Sequence, residues 1–155
     1  MRRLGLSLLV LLAAVGCRAA AVPTGSTGAA TSTEAVVAFL GAAKAQDLQA
    51  ISAVWGNEES LTRDRVERQE LERRLLIINC HLRHDESRIG VPQMGEAGRT
   101  LLSVEIVKGD VRATVPFTTV KNARNNRWYV EDVDLRAARD ICNSTPMSRP
   151  VPPTL

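Results

Sequence analysis

The chain predicts an α+β domain in which N-terminal helices pack on a curved antiparallel meander sheet, and three features carry that expectation. Apolar residues recur at three- and four-residue steps between Val36 and Leu82, the period of helices with one buried face. From Arg99 to Leu135 the period shortens to two, as in strands that lay one face on a core. Short turn-forming stretches, Gly109-Asp110 and Asn122 to Asn126, separate these runs, which reads as hairpin connections. Aromatic residues make up only 3% of the chain, so aliphatic side chains must supply most of the core.

At the N-terminus, Arg2 and Arg3 precede an apolar run from Leu4 to Val15, and small residues lead into Cys17, the order of a secretory signal. The run is short of the roughly 20 apolar residues that span a bilayer. Leu12-Ala13-Ala14-Val15-Gly16-Cys17 resembles the lipobox of bacterial lipoproteins, with Ala14 where leucine is usual. That resemblance implies a signal peptide over residues 1–16, lipid attached to Cys17, and a place in the bacterial cell envelope facing the periplasm or the exterior. Arg18 is not the aspartate that retains some such proteins at the inner membrane, which favours the outer membrane. An ordinary secretory signal cut between Ala19 and Ala21 is the alternative.

Loss of the signal removes Arg2 and Arg3, leaving 18 of the 20 Lys and Arg against 17 Asp and Glu. A nearly neutral mature chain gives no electrostatic case for a nucleic-acid partner. Residues 17–32 are small and polar without apolar period and read as a flexible linker of ~20 Å reach. One compact domain is expected over residues 33–142, followed by a disordered tail, residues 143–155, with prolines at 146, 150, 152 and 153.

The first helix is expected to start at Ser32 or Thr33 as N-cap, with Val36, Leu40 and Ala43 on its buried stripe and Gly41 permitting a close contact. Asp47 should cap a second helix carrying Leu48, Ile51, Val54 and Trp55, with Gly56 as its stop. A third helix is expected from Thr62 to Cys80, burying Leu71, Leu75, Ile78 and Leu82. Its alternating charges give pairs at Arg63/Glu67, Asp64/Arg68 and Glu70/Arg74, a solvated face rather than a stripe of one sign for nucleic acid.

A weakly alternating strand is expected within residues 83–91. Leu102, Val104 and Ile106 then share one strand face, and Val111, Ala113, Val115 and Phe117 share another. In the last strand, residues 127–135, the phase slips. Trp128 and Val130 fall on one parity and Val133 and Leu135 on the other, which one extra residue near Glu131 explains as a bulge.

The helical joint Ala43-Lys44-Ala45-Gln46-Asp47-Leu48-Gln49-Ala50 and the closing strand Arg127-Trp128-Tyr129-Val130-Glu131-Asp132-Val133, in this element order, resemble the nuclear transport factor two-like superfamily over residues 33–136. The resemblance implies a cone-shaped sheet around helices, with a pocket at the open end that some members use for catalysis and many for binding.

Cys80 and Cys142 form an even pair once lipid occupies Cys17, and in an exported chain they are expected to be disulfide-bonded. The pair would tie the C-terminus to the helix layer. His81 and His84 could share a helix face as metal ligands or, in a strand, point apart; no metal or other cofactor is expected. Asp132 and Asp134, two apart on a strand, could serve as acid and base in a pocket or face solvent. Trp55 and Tyr129 could line the pocket mouth. Binding of a small ligand or an envelope protein, with the membrane reached through Cys17, is the favoured function, and a cone-fold dehydratase, isomerase or hydrolase is the alternative.

Overall fold

The computed structural model describes residues 27–144. The signal, Cys17, most of the expected linker and the tail from residue 145 lie outside the described residues.

The first helix, α1 (Ser32–Ala45), is capped one residue ahead of Ser32, the earlier of the two expected caps. Thr31 is the N-cap. Its hydroxyl accepts the Glu34 N–H at 3.1 Å, and the Glu34 carboxylate accepts the Thr31 N–H at 3.2 Å, so two otherwise orphaned donors are satisfied reciprocally. The ordered domain thus reaches back into the stretch expected to be linker. Gln46 ends α1 in the left-handed region at φ 59°, its N–H returning to the carbonyls of Ala42 and Ala43. The Asp47 carboxylate then accepts the Ala50 N–H at 2.9 Å and opens α2 (Leu48–Val54), as expected. Trp55 leaves α2 in extended conformation, so the helix stops before Gly56. Gly41 faces open space and permits no close contact, a correction to its expected role.

The third helix is shorter than expected at its start. Residues Thr62–Asp64 form a separate 3-10 turn, and α3 spans Arg68–Leu82. The cause is local. The Glu67 carboxylate accepts the N–H groups of Gln69 and Glu70, a cap that requires Glu67 itself to be non-helical. Helical pairs at Arg63/Glu67 and Asp64/Arg68 therefore do not form. The Glu70/Arg74 pair does, at 2.7 Å, joined by Arg73 at 2.7 Å and by Arg68 to Glu72 at 3.2 Å. Leu75, Ile78 and Leu82 are buried as expected, with Leu71 partly so.

Among the described residues, five strands form one antiparallel sheet, β1 (Glu86–Ile89), β2 (Gln93–Met94), β3 (Thr100–Lys108), β4 (Val111–Lys121) and β5 (Trp128–Val133). The order is β1-β3-β4-β5, with β2 also on β3. Gly109, at φ 56°, supplies the positive dihedral of the β3–β4 turn. Between β4 and β5, Thr118 faces Asp132 whereas Thr119 faces Val130, which leaves Glu131 as the extra residue of a bulge. The slipped phase is thereby absorbed. Trp128, Val130, Val133 and Leu135 all pack on the core.

One face of the sheet carries α1 and the C-terminal α4 (Arg139–Asn143), and α3 packs on α1, α2 and α4. Phe39 of α1 meets Phe117 of β4 edge-on, with ring centroids 6.1 Å apart at 83°. Cys80 of α3 and Cys142 of α4 lie at disulfide distance, with Cα atoms 4.9 Å apart, within the span a disulfide needs. Asn143 closes α4 and Ser144 caps it, so the domain extends just past its expected end.

Phe39→Ala should cost about 3–5 kcal/mol of stability, as large-to-small changes at fully buried aromatics do, read from chemical denaturation. Reduction of the Cys80–Cys142 pair, separated by 62 residues, should remove about 4 kcal/mol in the chain-entropy account while leaving the helical circular dichroism of the fold in place. Two free thiols on denatured, unreduced protein would contradict the pairing. The hydrogen bond from Arg74, with Arg73 adding to it, holds the Glu70 carboxyl below the usual carboxylate range. Its contribution to stability is therefore present above that range and lost as the pH falls through the lowered value. A carboxyl NMR titration of wild type beside Arg74→Ala should show Glu70 moving back up in the variant.

Candidate functional site

The four residues expected to line a pocket do not converge. Tyr129 is 1% exposed. Its hydroxyl accepts from the Asn125 amide at 2.7 Å and donates to the Thr27 hydroxyl at 3.2 Å, so it pins the incoming chain to the β4–β5 turn. Trp55 is half-buried against the core, and its backbone lies beside Val130. Asp132 is exposed opposite Thr118. Asp134 lies past the end of β5, where its carboxylate accepts the Arg136 N–H at 3.1 Å and caps a 3-10 turn over Leu135–Ala138. Asp132 and Asp134 thus do not share one strand face. β5 ends at Val133, before the alternation reaches Asp134.

The histidines are held by main chain. His81, in the last turn of α3, places Nδ1 3.2 Å from the Ala138 carbonyl. His84, two residues beyond the helix and 6% exposed, places Nδ1 2.7 Å from the Leu82 carbonyl. The helix ends between them, so a three-residue step along one helix does not set their relation. Among the described residues, no group of three His, Cys, Asp or Glu side chains is placed to hold a metal ion.

The free edge of β5 is occupied instead. Ala29 exchanges both main-chain hydrogen bonds with Trp128, each 2.9 Å, and the Gly56 N–H reaches the Val130 carbonyl at 3.0 Å. Gly28 permits this close approach. It sits at φ +73°, and a Cβ there would lie 2.8 Å from the Arg127 Cβ and from the Tyr129 ring. Glu131, thrown out by the bulge, receives both Nε and Nη2 of Arg99, a bidentate pair that ties the start of β3 to β5 across β4.

Shallow depressions occur elsewhere among the described residues. One, about 320 Å³, lies at the β3–β4 hairpin end among Asp85, Glu86, Arg88, Glu105 and Arg112. Arg112 pairs there with Glu105 at 2.7 Å, and the Asp85 carboxylate accepts the Gly109 N–H at 2.8 Å. The second, also about 320 Å³, lies beside the disulfide among Leu76, Asn79, Arg83, Lys108 and Ser144. Lys108 is committed there to the carbonyls of Ile141 and Ser144. Neither depression was legible in the sequence, because both arise where distant segments meet.

The exposed apolar residues were also missed. Val91 is 82% and Met94 96% exposed, and Leu101, paired with Gln93 and so on the other sheet face from Met94, is 43% exposed; the stretch Val91-Pro92-Gln93-Met94 has no period to betray it. No helix among the described residues is long and apolar enough to cross a membrane.

Tyr129→Phe should cost about 1 kcal/mol, the usual worth of a buried hydrogen-bonded hydroxyl, measured by urea denaturation. Gly28→Ala should cost more, since it adds steric overlap to a left-handed backbone. Compared with family models, with curated proteins and with solved structures, the chain matches none.

Proposed function

We propose that the protein is a lipid-anchored component of a bacterial cell envelope whose α+β domain binds a ligand or a partner protein without catalysing a reaction. The lipobox-like Ala14-Val15-Gly16-Cys17 after an apolar signal carries this reading. The Cys80–Cys142 pair supports it, since disulfides persist in oxidising compartments outside the cytosol. Helices laid on one face of an open, bulged antiparallel sheet support the nuclear transport factor two-like assignment within it. The core face of the sheet is filled by α1, whose Phe39 and Leu40 are buried there, so the reading places recognition on the outer surface of the domain rather than in a deep cone pocket. A cone-fold enzyme would need Asp132 or Asp134 beside Tyr129 or a histidine in one cavity, whereas Asp132 is exposed, Asp134 caps a turn and both histidines sit on main-chain carbonyls.

Metabolic labelling with a palmitate analogue tests the anchor. The wild-type chain should incorporate label and fractionate with membranes, and Cys17→Ser should do neither. Label retained by Cys17→Ser would overturn the lipoprotein reading.

A further inference from the structure

We infer that the end of the domain bearing Val91, Met94 and Leu101 seats on the lipid surface to which the chain is anchored, an inference that rests on the lipid-anchor reading above.

Sheet register fixes where this patch lies. Met94 pairs with Thr100, Thr100 with Thr119, and Thr119 with Val130. The chain enters the domain two rows away, where Ala29 pairs with Trp128 and Trp128 with Lys121. Thr27, bonded to the Tyr129 hydroxyl, sits at that same end beside the β4–β5 turn. Across the sheet, Met94 and Ala29 are separated by about four strand spacings, or ~19 Å. The patch and the point of entry therefore belong to one end of the molecule.

A second exposed apolar pair, Leu76 and Ile77 at 58% and 53%, competes for this role. It lies at the opposite end, since Leu76 shares its depression with Lys108 at the β3–β4 hairpin. Ten residues separate Cys17 from Thr27 and reach at most about 35 Å when fully extended. From Val111 to Lys121, β4 alone covers about 34 Å. Bringing the Leu76 end down while Thr27 stays at the far end would stretch the connection to almost its full length, whereas the Met94 end meets the membrane with slack.

Charge does not select the surface. Lys121 and Arg124 at this end are accompanied by exposed Glu58, Glu59 and Glu96, so contact comes from apolar side chains entering the interfacial region. Met94 and Val91 are placed for that. They project from a segment held at both sides, by the Gly90 N–H on the Ser103 carbonyl at 2.8 Å and the Gly95 N–H on the Arg99 carbonyl at 2.9 Å.

The test uses full-length protein, processed in a bacterial host and reconstituted into vesicles of dibromostearoyl phosphatidylcholine, whose bromines quench nearby tryptophan. Met94→Trp places a reporter in the patch and Leu76→Trp places one at the far end, while Trp55 and Trp128 contribute equally to both. Both substituted sites are exposed, and unchanged circular dichroism confirms folding. The added fluorescence of Met94→Trp should be quenched several-fold more than that of Leu76→Trp. Equal quenching in protein that carries the palmitate label would overturn the seating while leaving the anchor standing. Absence of both label and vesicle binding in wild type would remove the anchor and the seating together. Loss of Met94→Trp quenching accompanied by concentration-dependent dimers would assign the patch to a second copy of the chain and overturn the lipid contact.

Discussion

Edge-to-face contact between Phe39 and Phe117 is the point on which the two layers turn. With aromatic residues so few, α1 has one large ring with which to register itself against the sheet, and β4 has one to receive it. The surrounding core includes Ala35, Val36, Leu40, Ala43, Val115 and Val130, small or branched aliphatics that fill volume without strongly specifying orientation. The ring pair supplies that orientation, since a T-shaped arrangement tolerates little rotation before its favourable electrostatics are lost. Once α1 is fixed, Gln46 and Asp47 set the bend into α2, and α2 delivers Trp55 and Gly56 to the edge of β5.

That sequence of dependencies explains what could be read in advance. Helical and alternating periods are local properties, so the helices, the β3–β4 hairpin and the slipped phase at Glu131 were visible in the residues themselves. Even the bulge, a tertiary feature, left a trace because it shifts the parity of Val130 against Val133. Element starts were less legible. Thr31 rather than Ser32 or Thr33 caps α1 because Glu34 stands three residues on, and Glu67 interrupts the expected third helix because its carboxylate serves the N–H groups of Gln69 and Glu70 better as a cap than as a helical residue.

The candidate site was the least legible part, for a physical reason. A polar side chain gains its role from what the fold sets opposite it, and that information is nonlocal. Asp134 has the composition of a catalytic acid but the surroundings of a helix cap, and Tyr129 has the composition of a pocket lining but the surroundings of a strut. Conversely, Val91 and Met94 carry no pattern, and only strand pairing reveals that they stand at the end where the chain enters. Gly28 was read as linker, yet its missing side chain is what lets Ala29 lie against β5.

The two edges of the sheet are consequently unlike. Ala29 and Gly56 have taken the hydrogen bonds that β5 would otherwise offer outward, whereas the opposite side ends on the short strands β1 and β2, with Glu86 and Arg88 on the former. An exposed strand edge is a template for pairing with another chain. A sheet open at both edges can extend without limit, each added copy presenting a new edge to the next. A sheet covered along one edge offers a neighbour only the other, so pairing of that kind would leave covered edges outermost and would stop at two copies.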